Sequence, residues 1–230
     1  MALQTGPREA ALETCIEVYR KQAKAEPIET VWKRFRASTC GGRWFLALQG
    51  AYGHRCLYCD HAPVRSIDHR DAKSRSVGSA FAWKNFRASC GDCNHLKGMQ
   101  KIVDPVSEDP RAFITYDVST GKPAPILAAK TARRKKAEVT IRLLDFQTLN
   151  EARRSKRHRV LDALTRFLAG EAGFDAARVR QELSADEPHR AIVRDLVLGA
   201  DANLHQWSAL VRQAMRRLPF LRTWALSPTG

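Results

Sequence analysis

Two short stretches, "CLYC" at residues 56–59 and "CGDC" at residues 90–93, indicate the fold to expect of this chain. Each stretch separates two cysteines by two residues, so one turn of backbone can present both sulfurs to a single metal ion. Two such pairs complete a tetrahedral set of four thiolates, which leaves no position open for water or substrate and is typical of structural zinc. A redox dithiol would need only one pair. The predicted zinc ligands are Cys56, Cys59, Cys90 and Cys93.

Between and after the cysteine pairs, short apolar fragments alternate with turn residues. "VRSIDH" at 64–69 and "NFRASC" at 85–90 predict two short strands, and "GDCNHLKGMQ" from Gly91 predicts a helix. The first fragment ends in Asp68 and His69. An imidazole can take a proton from water near neutral pH, and a carboxylate can bind a cation or orient a neighbouring imidazole. Asp68 could therefore bind a cation or orient His69, and His69 could be a base or only a surface or capping residue.

The pattern C-x-x-C, Asp-His, Asn, C-x-x-C-Asn and Lys-Gly, from Cys56 to Gly98, resembles the HNH nuclease motif of the ββα-metal superfamily. The resemblance implies two strands and a helix that carry a metal-dependent endonuclease, with DNA the favoured substrate. It implies His69 as the general base, and Asp68 and Asn94 as ligands of a catalytic Mg²⁺ or Mn²⁺ ion. His95 is the alternative to Asn94, because the family uses either residue type near this position.

The same resemblance gives two further residues a role at the reacting phosphate. Asn85 would orient His69 through its amide or its backbone, although an Asn in "WKNF" is also a common turn former. Lys97, one helical turn past Asn94, would hold a phosphate oxygen. The basic residues that follow His69 suit contacts with the nucleic-acid backbone better than base reading, and they are Arg70, Lys73 and Arg75.

The net charge favours a polyanionic partner. Lys and Arg number 39 and Asp and Glu 24, so the formal net charge is +15. Such an excess favours nucleic acid through phosphate neutralisation and counterion release, although basic solubility alone is an alternative. The apolar runs are too short to span a bilayer and the first residues lack a signal-peptide pattern, so we expect a cytoplasmic protein with no membrane partner.

A local excess of basic residues follows the cysteine segment. Residues 128–169 contain twelve Lys or Arg and four acidic residues, mostly in "ARRKK" and "RRSKRHR". Two helices with solvated basic faces would explain this, but the charge of the whole chain favours a surface that contacts phosphates. The residues predicted to make those contacts are Arg153, Arg154, Lys156 and Arg157.

The remaining cysteines, Cys15 and Cys40, stand apart from the pairs. Cys15 lies on the apolar face of a predicted helix and is expected to be a small buried hydrophobic residue. Cys40, beside two glycines, is expected to lie in a loop and to have no chemical role.

The fold class expected is α+β and mostly helical, with a central ββα-metal unit and a four-cysteine zinc knuckle between flanking helices. Three segments are predicted, at 1–54, 55–127 and 128–230. Helices are predicted near 8–25, in "IETVWKRFRA", in "GGRWFLALQGAYG" and, beyond the cysteines, near 128–145, 148–169, 175–183, 188–199 and 203–217. The Pro- and Asp-rich stretch before residue 128 is predicted to be an ordered connection with a turn at "STG".

A second resemblance is to the Septu-type and retron-associated HNH nucleases of bacterial anti-phage systems. It rests on "VDPVSEDPRAFITYDVSTGKPAP" at 103–125 and on "AEVTIRLLDFQTLNEARR" at 137–154. It implies an antiviral effector nuclease that acts with an ATPase partner. The alternatives are a catalytically silent, zinc-stabilised nucleic-acid-binding module and a subunit that only docks on a partner through its helical C-terminal region.

Overall fold

The computed structural model describes residues 10–126, 131–184 and 189–227. The described chain is mostly helical, with two small antiparallel sheets. It divides into two compact units between Glu108 and Asp109, and each unit has its own hydrophobic core.

The N-terminal unit begins with three helices, α1 (Ala10–Ala25), α2 (Ile28–Ala37) and α3 (Thr39–Tyr52). Pro27 lacks a backbone N–H and directly precedes the first turn of α2, where that donor is not needed. Ser38 separates α2 from α3 and caps α3, since its hydroxyl accepts a hydrogen bond from the Gly41 amide at 3.1 Å.

The core of the N-terminal unit is rich in aromatic side chains. Phe35 of α2 is fully buried, and its ring lies within 7 Å of four other rings: those of Tyr19, Trp32, Phe81 and Phe86. Ile67 belongs to the same core. The three helices and the strands that follow them therefore share one core, so the predicted boundary at residue 54 does not separate two folding units.

The second half of the N-terminal unit is a strand pair followed by a helix. Strands β1 (Ser66–His69) and β2 (Phe86–Ser89) pair antiparallel, with Asp68 opposite Arg87. The short helix α4 (Val77–Ala80) lies in the connection between the strands, and helix α5 (Gly91–Lys97) follows β2 directly. The sequence predicted both strands within two residues of their observed ends and the start of α5 at Gly91, but α5 ends at Lys97, three residues before the end of the predicted segment.

The C-terminal unit begins with the β-hairpin of β3 (Ile114–Tyr116) and β4 (Pro123–Pro125), which the sequence predicted only as an ordered connection. Six helices follow in the described chain: α6 (Ala132–Leu144), α7 (Gln147–Ala169), α8 (Ala176–Glu182), α9 (Arg190–Asp201), α10 (Ser208–Arg217) and α11 (Phe220–Leu226). Gly170 ends α7 in the left-handed conformation, as expected of a C-terminal glycine.

The hairpin turn packs closely on α7. Gly121 has a φ of +75°, and a Cβ atom built on it would lie 2.5 Å from the Asn150 carbonyl oxygen. Only glycine meets both requirements, because a side chain would be strained by the backbone angle and would collide with the helix. This contact explains why the predicted boundary near residue 127 also differs from the structure: the hairpin belongs with the helices that follow it.

Helices α7, α8 and α9 lie within two residues of their predicted positions. Helix α10 begins at Ser208, five residues after the predicted start, and the sequence did not predict α11. Residues 128–130 and 188, where two helices were predicted to begin, lie outside the described residues. Within the described ranges, none of the helices combines the length and apolar character that crossing a membrane requires.

Cys15 and Cys40 form a disulfide, with their Cα atoms 5.9 Å apart. Both predictions for these cysteines are therefore wrong. Cys40 lies in the first turn of α3 and not in a loop, and α3 packs against α1. That packing brings the two side chains together across 25 residues of sequence, which the spacing of isolated cysteines does not indicate.

Candidate functional site

The four cysteines of the two C-x-x-C pairs form one buried cluster. The Sγ atoms of Cys56, Cys59, Cys90 and Cys93 all lie within 4.8 Å of one another. A zinc ion bound by four thiolates at about 2.3 Å would place the sulfurs about 3.8 Å apart, so the cluster could hold zinc after a small contraction. Within the described ranges it is the only group of three or more Cys, His, Asp or Glu side chains arranged to hold a metal ion.

The cluster joins the first cysteine turn to the strand pair and to α5. Leu57 donates its amide to the Ala88 carbonyl of β2 at 3.0 Å. Cys90 caps α5, because its Sγ accepts from the Cys93 amide at 3.4 Å. The four thiols share hydrogen bonds: those from Cys59 and Cys90 lower the pKa of Cys56, and those with Cys56 and Cys90 raise the pKa of Cys59. A metal ion would bind these sulfurs as thiolates.

His69 ends β1 and lies against the aromatic core. It is 7 % exposed, and its ring centroid lies 4.4 Å from that of Trp32. Its Nε2 atom is 2.9 Å from the Ala80 carbonyl oxygen. A carbonyl only accepts hydrogen bonds, so Nε2 carries the hydrogen and Nδ1 of the neutral ring carries the lone pair. Burial lowers the pKa of His69 from 6.5 to about 4, which keeps the ring neutral at physiological pH.

Asp68 points to the other face of β1 and is buried in a polar network. Its Oδ2 accepts the Tyr58 hydroxyl at 2.6 Å, and the Lys97 ammonium lies 3.2 Å away. Burial raises the pKa of Asp68, and the Lys97 charge and the Tyr58 hydrogen bond only partly offset this effect. Burial also raises the pKa of Tyr58, with the Asp68 charge as a second cause, so the phenol remains a hydrogen-bond donor.

Lys97 is a structural cation and not a surface residue. It is 2 % exposed, and its Nζ donates to the His69 carbonyl at 2.6 Å as well as to Asp68. The predicted contact of Lys97 with a phosphate oxygen is therefore corrected, because burial removes the ammonium from solvent and its donors are used within the unit. Lys97 instead connects α5 to the end of β1.

Asn85 organises the connection between the strands. Its amide nitrogen donates to the carbonyls of Asp71 and Ser79, and its Oδ1 accepts the Asp71 amide at 2.8 Å. Its own carbonyl accepts the amide of Arg70, the residue after His69, at 2.8 Å. Ser79 precedes Ala80, whose carbonyl holds the His69 ring. Asn85 thus acts on His69 through the backbone on both sides of the loop and not by a bond to the imidazole.

Asn94 lies on α5 opposite β1. Its Nδ2 donates to the Ser66 hydroxyl at 3.1 Å, which leaves the amide oxygen as the donor atom for a cation. Asn94 and Asp68 are therefore both directed to the space between α5 and β1, whereas His95 is exposed on α5. Asp68 already faces the Lys97 ammonium, so a second cation would share the carboxylate with Lys97 or displace it.

The three basic residues after His69 stay at the surface of the N-terminal unit and carry carboxylate partners. Arg70 lies 2.7 Å from Asp71, Arg75 lies 3.9 Å from Asp71, and Lys73 pairs with Glu29 at 3.1 Å. Their placement is compatible with contacts to a nucleic-acid backbone, and the partners reduce the local positive charge.

The basic residues predicted on α7 are mostly buried. Arg153, Lys156 and Arg157 are each 3 % exposed or less. Arg153 and Arg157 donate to backbone carbonyls of the hairpin turn, among them Gly121 and Ser119, and Lys156 pairs with Glu182 at 3.4 Å. The predicted phosphate contacts of these three residues are corrected, because they occupy the helix face that packs on the unit. Arg154 remains partly exposed.

Sequence reasoning missed a buried ion pair beneath the strand pair. Arg87 of β2 donates from Nε and Nη2 to the two carboxylate oxygens of Asp104, both at 2.6 Å. The sequence also gave no indication that the Tyr58 hydroxyl donates to Asp68. These residues are brought together by the strand register, which puts Arg87 opposite Asp68. The register is known only once the strands are paired.

Comparisons with known protein families, with curated proteins and with solved structures find no match to this chain.

Proposed function

We propose that the N-terminal unit is an HNH-type endonuclease that hydrolyses phosphodiester bonds in nucleic acid, DNA being the favoured substrate. The observation that carries this proposal is the orientation of His69. Its Nε2 hydrogen is directed to the Ala80 carbonyl, so Nδ1 holds the lone pair that a general base needs. The histidine ends a strand whose partner leads into a helix capped by a thiol of the four-cysteine cluster.

The electrostatics around His69 support the role of a base. With its pKa lowered to about 4, the ring is neutral and able to accept a proton at physiological pH. A phosphate close to the ring would raise that pKa, since a nearby negative charge favours the protonated form. The imidazole would then gain basicity when substrate is bound. The Ala80 carbonyl holds the ring in one orientation, and Asn85 fixes the backbone beside it by donating to the Ser79 carbonyl.

Two metals belong to the proposal. Zinc in the four-cysteine cluster would be structural, since four thiolates leave no open position. Mg²⁺ or Mn²⁺ would be held by Asp68 and the amide oxygen of Asn94, with His95 as the alternative, and would neutralise charge on the phosphate when bound. Both donor atoms are hard oxygens on facing elements, which suits Mg²⁺. Lys97 would keep Asp68 ionised and in place.

The resemblance to Septu-type nucleases adds a biological role to the proposal. On that basis the protein would be the effector nuclease of an anti-phage defence system, would act in the cytoplasm and would work with an ATPase partner. The C-terminal unit, joined to the nuclease in one chain, would be available for that partner.

A catalytically silent nucleic-acid-binding module is the second candidate. The observation that favours it is the Asp68–Lys97 pair, since the carboxylate expected to bind a catalytic cation already has a buried cationic partner 3.2 Å away. The net charge of +15 suits either candidate. The two candidates differ in whether His69 matters for turnover or only for packing.

Cleavage assays separate these candidates. Wild-type protein, His69→Ala and His69→Gln are incubated with plasmid DNA, single-stranded DNA and a structured RNA, each with Mg²⁺, with Mn²⁺ or with EDTA. We expect cleavage by the wild type that EDTA abolishes, and a loss on the order of 10²–10⁴ in rate for both variants. The glutamine variant keeps a donor for the Ala80 carbonyl, so its loss would reflect chemistry and not folding.

Two controls make the assay decisive. His54→Ala changes an exposed histidine of the same unit and should cleave like the wild type. Zinc content is measured after each EDTA treatment, to separate loss of the catalytic cation from loss of structural zinc. Equal cleavage by wild type and His69→Gln would refute the base role. Equal binding of all variants to nucleic acid without cleavage would favour the silent module.

A further inference from the structure

A cavity of about 310 Å³ opens on the N-terminal unit beside the start of β1. Helices α2 and α3 form one wall and β1 the other. Its lining includes Arg36, Gly41, Gly42, Phe45, Arg65 and Ser66. None of the described lining residues is acidic, and neither the four-cysteine cluster nor His69 is among them.

Two adjacent glycines shape the cavity. A Cβ atom on Gly41 would lie 2.1 Å from the Phe35 carbonyl oxygen, so α3 can approach α2 this closely only with glycine at that position. A Cβ atom on Gly42 would meet nothing within 4 Å, so the absent side chain of Gly42 leaves open space at the cavity. Gly41 is therefore required by helix packing, and Gly42 leaves the cavity open because it has no side chain.

The charge of the cavity is uncompensated. Arg36 and Arg65 are exposed, and within the described ranges neither has a carboxylate at ion-pair distance. Other arginines of this unit differ in this respect: Arg34, two positions from Arg36, lies 2.7 Å from Glu26, and Arg55 lies 3.2 Å from Asp60. Two arginines thus line the cavity, and an anion bound there would meet positive charge without a competing carboxylate among the described lining residues. A guanidinium matches the geometry of phosphate oxygens through paired N–H donors.

An aromatic ring lies beside these cations. Phe45, partly buried in α3, contributes to the same lining. Stacking of a base on an aromatic ring combined with cationic contacts to the backbone is how proteins bind single-stranded nucleic acid without reading its sequence. Among the lining residues that the structure describes there is no Asn, Gln, Asp or Glu, the side chains that most often discriminate adenine or cytosine edges.

We propose that this cavity binds a single strand of nucleic acid, with a phosphodiester between Arg36 and Arg65 and a base against Phe45. Ser66 lines the cavity and His69 lies three residues further along β1, a separation of about 10 Å. A nucleic-acid strand bound in this cavity would extend toward His69. The inference rests on the proposed function only in identifying the bound strand as the substrate of His69.

The sharpest test uses the open space at Gly42. Gly42→Glu places a negative charge at the cavity, and its Cβ meets no neighbour. Because glycine is unfavourable within helices, the substitution should leave the melting temperature unchanged or raise it. Gly50→Glu is the matched control: it lies on the same helix, is exposed, has equally open space and changes the net charge identically. We expect roughly tenfold weaker binding of a labelled single-stranded oligonucleotide by Gly42→Glu than by Gly50→Glu.

The salt dependence of binding tests the two arginines separately. Each phosphate contact contributes about 0.7 to the slope of log affinity against log salt for a single strand. Arg36→Ala and Arg65→Ala should each reduce the slope by about that amount. Arg34→Ala, which removes the same charge from the same helix, should leave it unchanged. Phe45→Leu should weaken binding of the normal strand but not of an abasic strand of equal length.

Binding is measured on zinc-loaded protein without Mg²⁺, in the wild-type and the His69→Gln backgrounds, so that failure of the two proposals can be told apart. Equal affinities for Gly42→Glu and Gly50→Glu, with unchanged salt slopes for both arginine variants, would overturn the strand-binding cavity even if cleavage were observed. Cavity-dependent binding without cleavage would support the cavity and count against the nuclease. Tighter binding of duplex DNA than of single strands, unaffected by Phe45→Leu, would overturn the assignment to a single strand.

Discussion

Identical residue types play opposite roles in this protein, depending on what surrounds each side chain. Lys97 and Arg157 are buried and donate to backbone carbonyls, whereas Arg36 and Arg65 are exposed beside a cavity. Burying a cation is costly unless its donors are satisfied, and the His69 carbonyl and the Asp68 carboxylate satisfy those of Lys97. A count of basic residues therefore overstates the surface available to phosphates.

His69 gives a prediction at the scale of one side chain. Its folded pKa is about 4 and its ordinary pKa 6.5, so between these values the unfolded chain binds a proton that the folded chain does not. The contribution of His69 to the free energy of unfolding is fully present above pH 6.5 and should fall by about 3 kcal/mol as the pH decreases to 4. Glutamine does not titrate in this range, so the free energy of unfolding of His69→Gln should fall less than that of the wild type.

Chemical denaturation of zinc-loaded wild type and His69→Gln, followed by tryptophan fluorescence between pH 7 and pH 4, measures this difference. Trp32 contacts His69 and reports on the N-terminal unit. Loss of zinc in acid affects both proteins and cancels in the comparison. A difference in stability that stays constant across this range would show that His69 titrates normally in the folded state.

At the scale of elements, two sets of cysteines connect the helices of the N-terminal unit. Helix α1 is joined to α3 by the Cys15–Cys40 disulfide, and the start of α5 is joined to the turn after α3 by the four-cysteine cluster. The strand pair between them is only four residues long in each strand, and an isolated pair of this size is marginal in water. A pair this short therefore needs the packing of the elements around it.

The disulfide gives the prediction at this scale. It closes a loop of 25 residues, so its removal should lower the free energy of unfolding of the N-terminal unit by about 3 kcal/mol. Urea denaturation of the wild type with and without a phosphine reductant measures the effect. The double variant Cys15→Ser/Cys40→Ser should resemble the reduced wild type and be insensitive to reductant. Equal stability of reduced and oxidised wild type would contradict a stabilising role of the disulfide.

At the scale of the whole molecule, the described residues form two hydrophobic cores that share no residue. One core draws on helices α1–α3 and the strand pair, and the other on α7 to α11. The four-cysteine cluster and the candidate active site both lie in the first unit. Loss of metal should therefore affect one unit selectively.

Metal removal gives the prediction at this scale. Structural zinc contributes folding free energy directly, so chelation or Cys90→Ser should lower the melting temperature of the N-terminal unit by roughly 10 °C or more. The transition of the C-terminal unit should not move. Differential scanning calorimetry of wild type, chelated wild type and Cys90→Ser resolves the transitions, and added zinc should restore only the chelated wild type. A folded, fully active Cys90→Ser protein would contradict the zinc assignment.

Local spacing is what the sequence by itself determined. Backbone geometry controls contacts between residues a few positions apart, and such local patterns can be read from the sequence. They include the two C-x-x-C pairs, the strands that end in His69 and Ser89, and the helices up to Gly170. The mostly helical fold class was also predicted from the sequence, whereas the antiparallel pairing of the strands and the β3–β4 hairpin were not. The identification of the strand–strand–helix segment as a nuclease remains a proposal.

Tertiary structure alone decided which side chains meet across long separations. The Cys15–Cys40 disulfide, the Asp68–Lys97 pair, the burial of Arg153 and Arg157 and the cavity beside Gly42 join residues distant in sequence. Charge patterns do not reveal these outcomes, because the cost of desolvating a side chain depends on partners that only packing supplies. For the same reason the sequence could mark His69 as a candidate base, but only the fold directed its Nε2 to the Ala80 carbonyl.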